Sequence, residues 1–568
     1  MGRNMSGTME VYRLLDPKKL LQYEYFPEEL PECFTSKGLA DNYNVLKGQA
    51  DSISDSSSPL LFSIYKGENA RRRMAIPNPL SYMRIVNCIC DNKEQFAGLF
   101  NRSSLSLTKP SDDQSNTQKR AYNRISNTPT DTRLANERLF SNNSVCIKMD
   151  ISNFFDSIYT HSISWAITSK KDAKANKNNN LTLGNKLDRA LQNLNDKQTH
   201  GILVGNAVSR LIAEVILCSI DCEIVKKFPS INVCRFVDDY SFYITDKESP
   251  NAIISFVRNQ LLEYDLVLNE SKTKIIHAPF LLERSGIDEI KSITTEDAYT
   301  YYNRMMLLYD KYKDLSLLKY GFSIINLLTR NSDFHNMFPM LIHSWVTFPS
   351  LAYKILPVLY KYKDELTTTE KKELKKALLS VASNGIALRQ ETETVWALWA
   401  MTLFGLKLNE EIVRFVCDSN NDLAIIILLT YIKGSGYKYY TDVVNKLTER
   451  IKDESADPTT ANRAMIFFSH WLLIYELVRK EIVRTSDFPC VEDNKFFKKL
   501  LEHKVDFYDP AVVPIITKSS KKTNHDYDEI VTLLKKLIDT QREGANKADV
   551  IDSIDRIVQG KNEKWTYE

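Results

Sequence analysis

The sequence predicts two unlike parts, an α+β region over about residues 1–290 and an all-α, helical-repeat-like region over 291–568. Three observations predict them. VCIKMDI at 145–151 has the β-branched character and length of a buried strand. CRFVDDYSFYI at 234–244 sets Phe236, Phe242 and Ile244 around two adjacent carboxylates, which reads as a β-hairpin with VDDY at its tip. From about 290, YYNRMMLLYDKYK, SWVTFPSLAYKILPVLYKYK, EKKELKKALLSVA, TVWALWAMTLF, LAIIILLTYI and AMIFFSHWLLIYELV follow as amphipathic or buried helices on short polar links. Strand signals nearly vanish there, and the rough spacing resembles the helix pairs of a solenoid, without a strict sequence period.

In chain order, residues 10 to 100 mix short apolar runs with turn signals such as NPL and SISDSSSP, an α/β start with loops. Residues 103–144, rich in Ser, Thr, Asn, Asp and Arg, and the Lys/Asn stretch 168–182 read as surface insertions. After VCIKMDI a helix is expected near Phe154. After GILVGN, Val208, Leu211, Ile212, Val215 and Ile216 keep a helical spacing, so a loop enters a helix with one core face. In the second part, the stripe Trp345, Phe348, Ala352, Ile355 and Leu359 reads as core.

Composition bounds the function. At 568 residues with 43% hydrophobic and 10% aromatic content the chain is folded protein of about two to four domains, and disorder is local. Lys plus Arg (75) nearly balances Asp plus Glu (72) for a net +3, so a nucleic-acid surface would have to be local. The nine scattered Cys form no C-x-x-C pair and read as reduced, cytoplasmic thiols. The longest apolar run, LAIIILL at 423–429, falls far short of the roughly 20 residues that span a bilayer, and no membrane association is expected.

The carboxylates carry the chemistry. A DD dipeptide alone means little, since Asp112-Asp113 repeats it in a polar insertion; taken singly, Asp238-Asp239 reads as a turn and Asp150 as a helix cap. Two-metal phosphoryl transfer, however, needs carboxylates from separate elements converging on two cations. Asp150 at a strand end, Asp238, Asp239, the backbone carbonyl of Ile151 and a nucleotide's phosphates would supply the oxygen ligands that Mg²⁺ prefers, with Mn²⁺ as a substitute.

These residues belong to an ordered set: KMDISNFFDSIY at 148–159, HGILVGNAVSR at 200–210, RFVDDY at 235–240 and LNESKTK at 268–274. Order and spacing resemble the palm of reverse transcriptases. The resemblance implies metal binding by Asp150 and the hairpin aspartates, a nucleotide pocket shaped by the second block with Asn206, and Lys272 near the triphosphate. Phe155 stands where such enzymes carry an aromatic that excludes the 2′-hydroxyl; a core Phe is the alternative there. NARRRMAIPNPLSYMR at 69–84 resembles the fingers motif that grips a triphosphate. Strand alternation puts Arg71 and Arg73 on one face, opposite Arg72; the pair Arg71 and Arg73 is taken as nucleotide-binding, although the sequence leaves open which face sees the nucleotide.

Further stretches, CDNKEQF at 90–96, IYTHSISWAI at 158–167 and the THG before the second block, resemble the abortive-infection (Abi) reverse transcriptase-like polymerases, the group of AbiK and its prophage relative. That resemblance implies palm and fingers followed by a helical-repeat (HEAT-like) domain in place of a thumb. It also implies a homo-oligomer (trimer or hexamer) and phage-defence DNA synthesis from dNTPs that uses no template and starts on a protein tyrosine, leaving single-stranded DNA attached to the protein. Where template-copying enzymes read G-x-P-Q-G, this chain reads GILVG at 201–205, so Leu203 and Val204 replace Pro and Gln. Tyr12, near the terminus, and Tyr43, in the polar ADNYN stretch, are the candidate priming tyrosines by reach and mobility. A template- and primer-dependent reverse transcriptase and a non-catalytic scaffold for a phage or host partner are the alternatives.

Overall fold

The structure, a computed structural model, describes residues 15–51, 56–67, 70–111, 120–125, 139, 143–278, 286–293, 295, 297–454 and 469–515. Among the described residues, six strands lie in the first half. β1 (Leu60–Gly67) and β2 (Ala70–Ile76) form an antiparallel hairpin; β3 (Val145–Met149), β4 (Asn232–Phe236), β5 (Asp239–Ile244) and β6 (Lys274–His277) form an antiparallel sheet in the order β4-β5-β3-β6. β3 lies inside the sheet, which accounts for its nearly continuous apolar run. Its Ile147 and Met149 share a buried core with Phe242 of β5.

Local chemistry sets the helix starts. Asn78 caps α1 (Pro79–Asp91), whose first residue is proline, so no backbone N–H is lost there. The long α2 (Ala207–Lys227) carries the expected Val208, Leu211, Ile212, Val215 and Ile216 in the core. Two acids of that helix, Glu214 and Asp221, are buried as well, so more than one side of it is covered. α3 (Pro250–Leu262) repeats the proline start behind a Ser249 cap.

Of the expected surface insertion at 103–144, residues 112–119, 126–138 and 140–142 lie outside the described residues, and the part that begins at Ser103 corrects the reading. Ser103, Ser106 and Thr108 are buried. The chain there runs along β4, with Arg235 N–H donating to the Leu105 carbonyl at 2.9 Å and Leu107 N–H to the Arg235 carbonyl at 2.8 Å. Small hydroxyl residues are what a segment needs when it is wedged against buried charge, and composition alone mistakes them for solvent-facing ones. The Lys/Asn stretch does lie at the surface, around a short helix without a buried residue.

From Gly286 to Glu502 every regular element among the described residues is an α-helix or a 3₁₀ turn. Of the stripe, Trp345, Ala352, Ile355 and Leu359 are core, as the spacing predicts, while Phe348 is partly buried against it. No helix among the described residues is long and apolar enough to cross a membrane.

This helical part returns to the first half at two places. Thr35 N–H donates to the Phe507 carbonyl at 2.9 Å and Asp509 N–H to the Cys33 carbonyl at 2.8 Å, flanking a bridge between Phe34 and Tyr508. In α4 (Glu391–Leu403), the Trp396 indole N–H donates to the Glu29 carbonyl at 2.9 Å. Glu393, also in α4, accepts both guanidinium nitrogens of Arg71 at 3.0 and 2.9 Å. Such a fork-to-fork pair is among the stronger polar contacts, and it ties the β1–β2 hairpin to the helical part. Arg71→Ala and Glu393→Gln should each lower stability, with the double variant losing less than the sum and a coupling of about 1–3 kcal/mol. Urea unfolding of the four proteins tests this; additive losses would show that the pair contributes no coupling.

Candidate active site

The hairpin expected at 234–244 forms, with β4 and β5 joined by the two residues Val237 and Asp238. Two-residue hairpin turns favour Asn or Gly because they need positive φ. Here a β-branched valine sits at φ +55°, a backbone state that costs roughly 1–3 kcal/mol and persists only when its surroundings hold it. The surroundings are explicit. Val237 N–H donates to Thr108 Oγ1 at 3.2 Å, and Arg235 Nη1 donates to the Val237 carbonyl at 2.8 Å.

Arg235 itself is fully buried. Its Nε donates to Asp221 Oδ1 at 3.0 Å, and its Nη2 to Asp221 Oδ2 at 2.7 Å and to Glu214 Oε1 at 2.9 Å. Tyr240 Oη and Ser103 Oγ donate to Asp221 at 2.7 and 2.6 Å, and Thr108 Oγ1 donates to Glu214 at 3.1 Å. Burial works to raise the Glu214 carboxyl, but Arg235 holds it below the usual carboxylate range. One guanidinium thus joins α2, the Ser103 segment and the turn that carries the aspartates. Sequence reading passed over it, although an Arg at an inward strand position, between Cys234 and Phe236, is itself a signal of a buried charge network.

The three aspartates meet above this network. Asp150 follows β3 directly, and the strand register sets it beside Asp239, since Met149 stands opposite Tyr240. Asp150 Oδ2 accepts Asn269 Nδ2 at 3.0 Å and lies 3.1 Å from Lys272 Nζ, while the Asp150 carbonyl accepts Asn269 N–H at 2.8 Å. Lys272 is therefore where the sequence order puts it, beside the carboxylates. Burial, then the charges of Asp238 and Asp150, push the Asp239 carboxyl up to about 6. Asp238 is raised too, by burial and by Asp150, against the pull of its own backbone N–H, Lys272 and Arg72. Ile151 pairs with Leu268 through hydrogen bonds made by its neighbours Asp150 and Ser152, so its carbonyl takes no part in that bridge.

Crowded carboxylates raised by one another are what a divalent cation relieves. Hard oxygen donors alone fit Mg²⁺ or Mn²⁺, and the described side chains do not close into a ready-made cage. Mg²⁺ characteristically takes one or two carboxylates and completes its shell with waters and substrate phosphates. When bound, the cations would activate the attacking oxygen and steady the leaving one. The chain's own residues hold those carboxylates at the mouth of a cleft of about 420 Å³, lined by Asp150, Asp239, Phe236, Lys148, Lys272 and Lys274 among others.

Three nucleotide-site expectations are corrected by geometry. Arg71 faces the helical part and is held by Glu393 and by Ser63, whose hydroxyl accepts its Nε at 2.7 Å. Arg73 shares that face of β2 by alternation. Arg72 is on the other face, with the buried Met74, and its charge exerts a minor lowering pull on Asp238, which puts it on the carboxylate side of β2. Asn206 is fully buried and caps α2: its Oδ1 accepts Ser209 N–H at 2.9 Å and its Nδ2 donates to the Leu203 carbonyl at 3.0 Å, so both ends of its amide are taken by the turn that starts the helix. Tyr43 is 7% exposed in a helix, with its hydroxyl donating to Asn87 at 3.1 Å and burial raising the phenol, which overturns the reading of a mobile polar stretch. Tyr12 lies outside the described residues. Phe155 is half-buried beside Phe154, and it lines a small cavity with Tyr122, Arg124, Arg210 and Val237.

Two outcomes check this site. The folded state favours protonated Asp239, so its ionisation weakens the metal-free protein as pH rises from the ordinary aspartate value through about 6. Asp239→Asn should raise the melting temperature of metal-free protein above pH 6, match wild type near pH 4, and lose the Mg²⁺-induced stabilisation; an unchanged melting curve at pH 7.5 would contradict the crowding. Arg235→Met should cost about 3–5 kcal/mol in urea unfolding, because it strands Asp221 and Glu214 without a counter-charge.

Residues 64–307 match the family model described as "Reverse transcriptase (RNA-dependent DNA polymerase)". No curated protein matches the chain. Among solved structures, the apo telomerase of Candida tropicalis is similar at 10% identity with a TM-score of 0.31, covering 69% of this chain and 69% of that one. The telomerase of Candida albicans in complex with a fragment of telomeric RNA is similar at 10% identity and a TM-score of 0.27, covering 72% of this chain and 68% of its own. The segment 64–307, which holds all three aspartates and both arginine-bearing faces of β2, is a reverse transcriptase-like nucleotidyltransferase domain.

Proposed function

We propose that the protein is a DNA polymerase that adds dNTPs by two-metal phosphoryl transfer without a template, starting from one of its own tyrosines, and that it serves phage defence by abortive infection. The observation that carries the untemplated reading is the filling around Gly205. This glycine, at φ +111°, would place a Cβ 2.6 Å from Pro27 and 2.9 Å from Met74. The second block, which in template-copying enzymes supports the templated base pair, is here packed against the segment around Pro27, and Leu203 and Val204 replace its Pro and Gln. A covered glycine leaves little room for a template base at that point.

In this reading Asp150, Asp238 and Asp239 hold the metals, Arg72 and Lys272 meet the triphosphate, and Phe155 stands at the sugar. Lys272, 3.1 Å from Asp150, holds a proton within reach of the leaving pyrophosphate. With Tyr43 withdrawn into the fold, Tyr12 is the priming candidate. Residues 291–568 act as a HEAT-like helical domain in place of a thumb, attached to a fingers and palm domain over 1–290, and the protein works as a homo-oligomer. Template-dependent reverse transcription is the second reading, favoured by the description of the matching family.

Purified protein given labelled dNTP and Mg²⁺ without nucleic acid should yield label that stays on protein in a denaturing gel. Product that forms only with added template would replace the first reading by the second. Arg72→Ala should raise the KM for dNTP at least tenfold and Arg71→Ala should leave it within twofold. Asp238→Ala with Asp239→Ala should abolish both synthesis and protection from phage; protection without synthesis would indicate a scaffold.

A further inference from the structure

The seam between the helical part and the rest of the chain encloses a cavity of about 210 Å³, away from the three aspartates. Its walls come from three places. The segment after Pro27 supplies Glu28 and Glu29, β1 supplies Ile64 and Tyr65, and the helical part supplies Lys319, Tyr353 and Trp396. Tyr353 and Trp396 are centred 6.5 Å apart at 51°, so their rings form an angled apolar wall. Trp396 is 4% exposed and has spent its indole N–H on the Glu29 carbonyl. Glu393 also borders the cavity, but both its oxygens are taken by Arg71. The remaining charges sort by sign. Burial, then the charge of Glu28, raise the Glu29 carboxyl above its ordinary value. Burial, then the charge of Lys319, lower the Lys354 ammonium, which lies 5.3 Å over the Tyr353 ring. Two acids thus crowd each other on the N-terminal segment and two lysines on the helical part. Among the described residues, neither Glu28 nor Lys319 forms an ion pair.

We propose that this cavity binds a free α-amino acid with an apolar or aromatic side chain, its ammonium at Glu28 and Glu29, its carboxylate at Lys319 and its side chain against Trp396, Tyr353 and Ile64. A zwitterion relieves both crowdings at once, whereas a simple cation or anion relieves one and aggravates the other. Charge-assisted hydrogen bonds at the two ends fix its direction, and the ring wall between them takes an apolar body. The volume falls below the roughly 300–1,000 Å³ of drug-sized ligand sites, which suits a molecule of amino-acid size and not a nucleotide. A ligand that touches all three walls fastens the N-terminal segment and β1 to the helical part. The site stands whether or not the chain polymerises.

The test is calorimetric titration of full-length protein with L-phenylalanine or L-leucine, without nucleotide or divalent metal. Saturable one-to-one binding is expected. Two analogues, 2-phenylethylamine without the carboxylate and 3-phenylpropanoate without the ammonium, should each bind about tenfold more weakly than L-phenylalanine. Lys319→Gln should weaken L-phenylalanine about tenfold and leave 2-phenylethylamine within about twofold. Glu28→Gln with Glu29→Gln should weaken L-phenylalanine about as much and leave 3-phenylpropanoate within about twofold. L-phenylalanine should also raise the urea midpoint of the wild type more than that of either variant. Absence of saturable binding by both amino acids would overturn the site. Equal affinity for L-phenylalanine and 2-phenylethylamine would overturn it too, by making it an amine site, and undiminished binding in both variants would do so by placing the ligand elsewhere.

Discussion

A guanidinium with no access to water organises the sheet-bearing half of this protein. Arg235 satisfies Asp221 and Glu214 of one helix, and spends a remaining donor on the carbonyl of Val237, the strained residue of the turn. An isolated charge at that depth would be prohibitively costly, and so would either acid alone. Together, with hydroxyls from Ser103, Thr108 and Tyr240 taking up remaining oxygens, they form a satisfied polar knot inside an apolar core. Its consequence is positional. The hairpin cannot relax its turn without breaking a bond to a buried arginine, so Asp238 and Asp239 are held close to Asp150 despite mutual repulsion.

Three carboxylates crowd together at the mouth of the cleft, with Lys272 against Asp150, a crowding that a divalent cation would relieve. On the fingers side a second division of labour follows from strand alternation. One face of β2 gives Arg71 to Glu393 and so joins the hairpin to the helical part; the opposite face carries Arg72 on the side of Asp238. Three consecutive arginines thus do two jobs, one structural and one electrostatic. The helical part also clamps the segment containing Glu29 and Pro27, and that segment covers Gly205. The far half of the chain therefore bears on the packing around Gly205 through the segment it holds.

Although it read two helices between strand and hairpin where five form, the sequence by itself determined the strand that ends at Asp150, the long helix at Ala207–Lys227 with the hairpin after it, the all-helical character after the sheet and the convergence of Asp150, Asp238, Asp239 and Lys272. Those follow from periodicity and from an ordered set of motifs, both of which are local properties. What it left undetermined depends on distant partners. Arg71 and Arg72 are equivalent in the chain, and only Glu393, more than three hundred residues away, separates them. Asn206 reads as a pocket residue until its helix forms and takes both ends of its amide. Tyr43 sits in a polar stretch whose helix nonetheless turns its ring inward to Asn87. The serines and threonines near 103–108 look solvent-facing until tertiary packing sets them against Asp221 and Glu214. Burial and charge pairing are decided by what folds against a residue, and for these residues only the tertiary structure supplies that.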